Sequence, residues 1–196
     1  MSGKALPRVA ILFSGAGSNM AYILEHLHGS VLEVVLTLTD KAQAGGIEIA
    51  EASGIPCRIL TFEGYESREA YDAAVVELLH SFRPDLTILA GFMRILTPVF
   101  TDRIRAINLH PSLLPKHKGL HAIERSYADA SPAGGVSVHW VSSELDGGEL
   151  IRQREIAKEG LSLEHYDKTV RRIEKEVLAE GIEEALKRIE SERDNN

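Results

Sequence analysis

The sequence predicts a single three-layer α/β/α domain on an open, mostly parallel sheet. Short apolar runs alternate with stretches of helical periodicity, and a glycine- or proline-marked turn separates nearly every pair. The chain has 196 residues, 44% of them hydrophobic, enough to bury one sizeable core within the usual domain size of roughly 50–250 residues. No internal repeat, low-complexity block or linker divides it.

Val9–Phe13 is a continuous apolar run closed by Ser14-Gly15-Ala16-Gly17, as expected of a strand buried on both faces. A helix follows over Asn19–His28, then a second strand, Val31–Thr39, ending at Asp40. A helical segment at Gly46–Ala52 passes through Gly54-Ile55-Pro56 to a short strand, Cys57–Leu60. Over Ser67–Phe82, Tyr71, Val75, Leu78, Leu79 and Phe82 recur at helical spacing, Pro84 stops the helix, and Leu86–Ala90 is the fourth strand. Ala106–Leu109 is the next strand, and two prolines make His110–Pro115 irregular. The polar stretch from Lys116 to about Gly135 has only a weak helical core near His121–Ala130. Val136–Val141 and Glu149–Ile156 read as a β pair joined across Asp146-Gly147-Gly148. From Ser162 an amphipathic helix carries Leu163, Tyr166, Val170, Ile173, Val177 and Leu178, and continues past Gly181 through Ile182, Leu186 and Ile189. The expected domain is 1–190, with a frayed polar tail over 191–196. Such a strand–helix order is Rossmann-like.

A net charge of −7 and a pI of about 5.6 argue against nucleic acid as the principal partner, because an acidic surface repels phosphate backbones. A local phosphate site remains open, since backbone amides need no net charge. The single cysteine, Cys57, rules out an intramolecular disulfide and a cysteine-rich metal cage. Met1–Pro7 leads into an apolar run too short to span a bilayer and without a cleavage signal, so a cytoplasmic protein with small-molecule partners is expected.

The glycine turn Ser14–Asn19 lies between a buried strand and a helix start, where glycines allow close approach of an anion to the first helical amides. A substrate phosphate is one reading. A dinucleotide cofactor is another, with Asp40 at a ribose-binding distance along the chain, although Met20 stands where a third glycine is wanted. A plain tight turn is the third.

Asn108 and His110 share one face of a predicted strand at its carboxyl end, where open α/β sheets bind ligands. Asp146, in the Leu145–Gly148 turn, can bring a carboxylate to the same place. These residue types suit amine-to-acyl transfer. An amide donor stabilises an oxyanion, an imidazole with an ordinary pKa of about 6.5 moves protons, and the carboxylate favours its protonated form. Turn capping explains the same residues without chemistry. His117 and His121 stand four apart with no ligand to complete a metal site, and read as loop residues. His26, His28, His80, His139 and His165 receive no role.

Several separated stretches together resemble the folate-dependent glycinamide ribonucleotide formyltransferase family. They are Phe13–Asn19, Ser67–Tyr71, Leu89–Leu96, Ile107–Pro115, Gly135–Trp140 and Glu144–Gly148, and the resemblance spans about 8–186. It implies the formyltransferase fold, with Asn108, His110 and Asp146 as the catalytic trio. By the same resemblance Gly17, Ser18 and Asn19 hold the substrate phosphate, and Glu174, beside Arg171, Arg172 and Ile173, binds its ribose. Arg68 contacts the folate, the backbone of Met93, Arg94, Ile95 and Leu96 recognises the pterin, and Ser142, Ser143, Glu144, Leu145 and Asp146 close the pocket. Asn108 adjoins that pocket too. The implied reaction moves the formyl group of 10-formyltetrahydrofolate, a co-substrate, onto the amine of glycinamide ribonucleotide in de novo purine (IMP) biosynthesis. No metal is implied, and the chain is expected to be a monomer or homodimer.

Departures from the family pattern fall at Ala16, at Arg171, where some relatives carry glutamine, and at Ala130-Ser131 and Gly134, which are expected in or beside a mobile loop over the site. Relatives that formylate an amino-sugar nucleotide or initiator methionyl-tRNA, or that hydrolyse formyl-folate, resemble the chain as well. The tRNA and hydrolase relatives ordinarily carry a further domain that this sequence does not contain. A non-catalytic nucleotide-binding module is the reading from another class, and the joint presence of Asn108, His110 and Asp146 argues against it.

Overall fold

Alternation along the first strand sets the layering. In β1 (Arg8–Phe13), Val9, Ile11 and Phe13 face one helical layer while Ala10 and Leu12 face the other, and all five are inaccessible to solvent. The computed structural model describes residues 5–195. After β1 come α1 (Ser18–His26), β2 (Glu33–Thr39), α2 (Gly46–Ala52), β3 (Cys57–Ile59), α3 (Arg68–Phe82) and β4 (Leu86–Leu89). Then follow α4 (Pro98–Thr101), β5 (Ala106–His110), α5 (Ala122–Ala128), β6 (Ala133–Trp140), β7 (Leu150–Ala157) and α6 (Leu163–Asp194). The expected three-layer α/β fold is present.

The seven strands lie in the order β3-β2-β1-β4-β5-β6-β7. β1 to β5 run parallel, while β6 is antiparallel to both β5 and β7. The chain winds outward from β1 in one direction and from β4 in the other, so a crevice opens between the loops that follow them. The Ser14 amide donates to the Gly91 carbonyl across that switch point at 2.9 Å. One core layer joins α1, α5 and α6 to the sheet; the other is built on Tyr71, Val75 and Leu79 of α3 and Phe100 of α4.

Three sequence expectations change. α4 was not anticipated; its signal is Thr97-Pro98, an N-cap followed by a proline at the first helical position. The frayed tail from Ser191 is instead the last turn of α6, which runs to Asp194 and is anchored by Arg193 on Asp85 at 2.7 Å. Asn196 and Met1–Lys4, with the start of the lead-in, lie outside the described residues. Gly134 is a β6 strand residue rather than part of a loop: a Cβ there would stand 1.8 Å from the Tyr166 hydroxyl oxygen, which fills the space. Gly181 likewise lets α6 lie close on the sheet, because a Cβ would come within 2.7 Å of Val138 Cγ1.

Candidate active site

β5 ends by turning Asn108 and His110 to one side, and the loop after β6 carries Asp146 back to meet them. Asn108 Nδ2 donates to Asp146 Oδ1 at 3.3 Å, and His110 Nδ1 lies 3.4 Å from Asp146 Oδ2. Asp146 sits at φ 49°, a left-handed conformation rare outside glycine. It is held there by the Gly119 amide, which donates to Oδ2 at 2.8 Å. Antiparallel register places His139 of β6 directly opposite Asn108. The His139 ring donates from Nδ1 to the Trp140 carbonyl at 2.8 Å, leaving Nε2 to accept from Asn108 Nδ2 at 3.2 Å and to face Asp146 Oδ1 at 3.6 Å. The sequence assigns His139 no role, although it lies in the Gly135–Trp140 stretch on a strand able to pair with β5.

Protonation at this cluster departs from the expectation. Burial of Asp146 favours its neutral form, but the adjacent His139, the hydrogen bond from the Gly119 amide and the nearby His110 together outweigh it and hold the carboxyl below its ordinary value. For His110 the balance reverses. Desolvation lowers its pKa beneath 6.5, overriding the His117 carbonyl and Asp146, which favour the cation. Asp146 favours the cation, as the residue types suggested, but burial outweighs it. Both partners of His110 are acceptors, the His117 carbonyl lying 2.9 Å from Nε2. The ring can donate to both only as the cation that burial disfavours. His117 belongs to a tied loop, its own ring pairing with Asp129 at 2.6 Å and Asp129 with Lys158 at 2.7 Å.

The glycine turn meets α6 at the stretch 171–174 singled out in the sequence. Gly17 caps α1 at φ 77° with no side-chain hydrogen bond, and a Cβ there would come 2.7 Å from Gly46 Cα, so only glycine fits. The first amides of α1 have no side-chain cap, an arrangement suited to an anion. Ser18 is exposed, whereas the Asn19 amide is hydrogen-bonded to Glu174 and its Oδ1 is buried without a partner. Glu174 is 9% exposed, and burial, eased by Arg171 and Asn19, pushes its pKa up to about 7. Asn19, Arg171 and Glu174 thus come together. Ile173 packs on the core, and Arg172 is engaged with Glu176 at 3.3 Å.

A strip of exposed apolar side chains runs along the crevice: Met93 (73%), Ile95 (56%) and Leu145 (48%), with Leu96 half-buried. Arg94 turns inward, its guanidinium 4.4 Å from the Phe62 ring centre and 3.6 Å from Asp40. Glu144 bridges to Lys118 at 2.6 Å, tying the 142–146 loop to the segment after β5. Ser142 hydrogen-bonds within that loop, and Ser143 is exposed. Arg68 opens α3 one turn from Tyr71 and Asp72, which pack under the 94–97 segment. The ribose-binding place considered for Asp40 is occupied, since one oxygen accepts from Ser14 and the other faces Arg94, with the side chain 1% exposed.

A family model for formyl transferase matches residues 7–182. Phosphoribosylglycinamide formyltransferase of Escherichia coli is 39% identical over 152 residues, covering 76% of this chain and 72% of that protein. The chain belongs to the phosphoribosylglycinamide formyltransferase family. The structure of phosphoribosylglycinamide formyltransferase from Campylobacter jejuni matches this fold with a TM-score of 0.88 at 46% identity, over 91% of this chain and 97% of that one. A trifunctional purine biosynthetic protein of Bos taurus is 34% identical over 181 residues, which are 90% of this chain but 18% of that protein. The chain spans 11–18% of the length of the trifunctional relatives it matches.

Within this family fold, Ala16 leaves the turn accessible and packs beside Gly45. Ala130 follows Asp129, whose Oδ1 accepts from the Ser131 amide at 2.9 Å, so this departure forms a compact turn after α5. No described helix is long and apolar enough to cross a membrane.

Proposed function

We propose that the chain transfers the formyl group of 10-formyltetrahydrofolate to the amine of glycinamide ribonucleotide, giving formylglycinamide ribonucleotide and tetrahydrofolate. The observation that carries this reading is the convergence of Asn108 and His110 on Asp146, at 3.3 and 3.4 Å. The exposed strip on one side of them suits an apolar ring system, and the uncapped start of α1 suits a phosphate.

In this mechanism the amine nitrogen attacks the formyl carbon, forming a C–N bond and leaving an oxyanion on the formyl oxygen. The Asn108 amide donates to that oxygen. His110 takes the proton from the attacking nitrogen: burial keeps the imidazole neutral, Asp146 holds Nδ1–H, and release of the His117 carbonyl bares Nε2. The imidazolium so formed is supported by Asp146, whose depressed pKa keeps it ionised. The bond to the folate nitrogen then breaks, and that nitrogen receives the proton from His110. Glu174 and Asn19 would grip the ribose and Ser18 the phosphate of the acceptor. The residues supply every proton transfer, so the proposal needs no metal, and its water-soluble partners fit a cytoplasmic enzyme.

The test is to supply 10-formyltetrahydrofolate and compare glycinamide ribonucleotide with an amino-sugar nucleotide and with no acceptor, for the wild type and His110→Ala. Tetrahydrofolate release dependent on glycinamide ribonucleotide, lost in His110→Ala with ligand binding kept, is expected. Formate release without an acceptor, or full activity of the variant, overturns the reading.

A further inference from the structure

Two buried carboxylates take no part in the proposed chemistry, and both are directed at one short segment. Asp72 is 2% exposed, and its Oδ2 accepts from the Thr97 amide at 2.7 Å and the Thr97 hydroxyl at 2.8 Å. Asp40, 4% exposed at the end of β2, works at the other end of the segment. Its Oδ1 accepts from the Ser14 hydroxyl at 2.5 Å, and the same Ser14 oxygen accepts from the Met93 amide at 2.8 Å. Its Oδ2 faces Arg94 Nη1 at 3.6 Å, and the Arg94 guanidinium also lies 4.4 and 4.7 Å from the ring centres of Phe62 and Tyr71. Arg94 would otherwise be free to swing into the crevice. It points inward, while its neighbours Met93 and Ile95 are exposed.

We propose that Asp40 is the positioning residue of the 93–96 segment, setting the backbone that reads the pterin before the folate arrives. This inference rests on the proposed assignment of that segment to the folate. A short loop that must be ordered on binding weakens affinity, whereas one fixed in advance does not. Asp40 supplies the fixing from both sides of the switch point, by charge on Arg94 and through Ser14 on the Met93 amide. Because Ser14 opens the glycine turn, one buried carboxylate also ties the donor side of the crevice to the acceptor side.

Asp40→Asn separates the two roles: the amide oxygen still accepts from Ser14, while an NH2 group replaces the charge opposite Arg94. The variant should bind tetrahydrofolate, and show a KM for 10-formyltetrahydrofolate, roughly five- to thirty-fold more weakly than the wild type. Its kcat at saturating donor and its KM for glycinamide ribonucleotide should stay within about twofold of wild type. Arg94→Lys, which keeps the charge but not the planar stack, is measured in parallel and should shift the same parameter, so the test stands if Asp40→Asn folds poorly by thermal melting. Unchanged folate affinity in the variants overturns the inference and leaves the proposed function standing. So does an equal rise in both KM values, which marks a general structural role. A wild type that fails to bind tetrahydrofolate at all overturns the assignment of the segment and the inference with it.

Discussion

Glu174 offers a direct test of the electrostatics, through Glu174→Gln. The carboxyl sits on a helix face 9% exposed, and burial raises its pKa from 4.5 to about 7. A group whose folded pKa exceeds its unfolded value favours folding below the unfolded pKa, and that benefit is lost as pH rises through the folded pKa. Ionising Glu174 therefore costs about 1.4 kcal/mol of stability at pH 5.5 and about 3 kcal/mol above pH 7. Glutamine has the same shape, never ionises, and can donate to the buried Asn19 Oδ1 that now has no partner. Urea unfolding of both proteins from pH 5.5 to 8.5 should show the variant gaining on the wild type by about 2 kcal/mol over that range. Function should run the other way. If the ionised carboxylate binds ribose hydroxyls, the wild-type KM for glycinamide ribonucleotide falls as pH rises through 7, while that of the variant is higher and flat. A stability difference independent of pH would refute the argument from burial.

Two further outcomes follow from the geometry. Because desolvation lowers the His110 pKa and the reaction needs its neutral form, kcat at saturating substrates should rise with pH along a limb centred below 6.5; a limb centred above 6.5 in that kcat profile contradicts this. Gly181→Ala should lower the melting temperature although alanine favours helix by about 1 kcal/mol, because the new methyl lies 2.7 Å from Val138 Cγ1 and overpacking costs about 1–3 kcal/mol. A melting temperature raised by the substitution would show that α6 can shift away from β6 freely.

What could be read in advance depended on the range of the interaction. The apolar runs of β1, β2 and β4 and the 32-residue helix α6 were legible because their periodicity is carried by neighbours along the chain. Four-residue α4 was not, because one turn is too short to show a period. Asn108 and His110 could be paired from a spacing of two on one strand. The approach of Asp146 was an expectation from residue type and resemblance, with no local pattern to fix it. His139 stayed unseen because its place opposite Asn108 depends on the register of β5 against β6.

The sequence by itself determined the order of the strands and of every helix but α4, the glycine that α1 requires at its start, and the identity of Asn108, His110 and Asp146 as groups at the carboxyl edge. Only the tertiary structure decided their protonation and their partners. His110 is shifted down because burial outweighs an adjacent carboxylate, Glu174 is shifted up by the same force, and Asp40 faces Arg94 instead of a ligand. The reason is that desolvation and cross-strand register are properties of the packed surroundings, which distant segments supply and no local run of residues encodes.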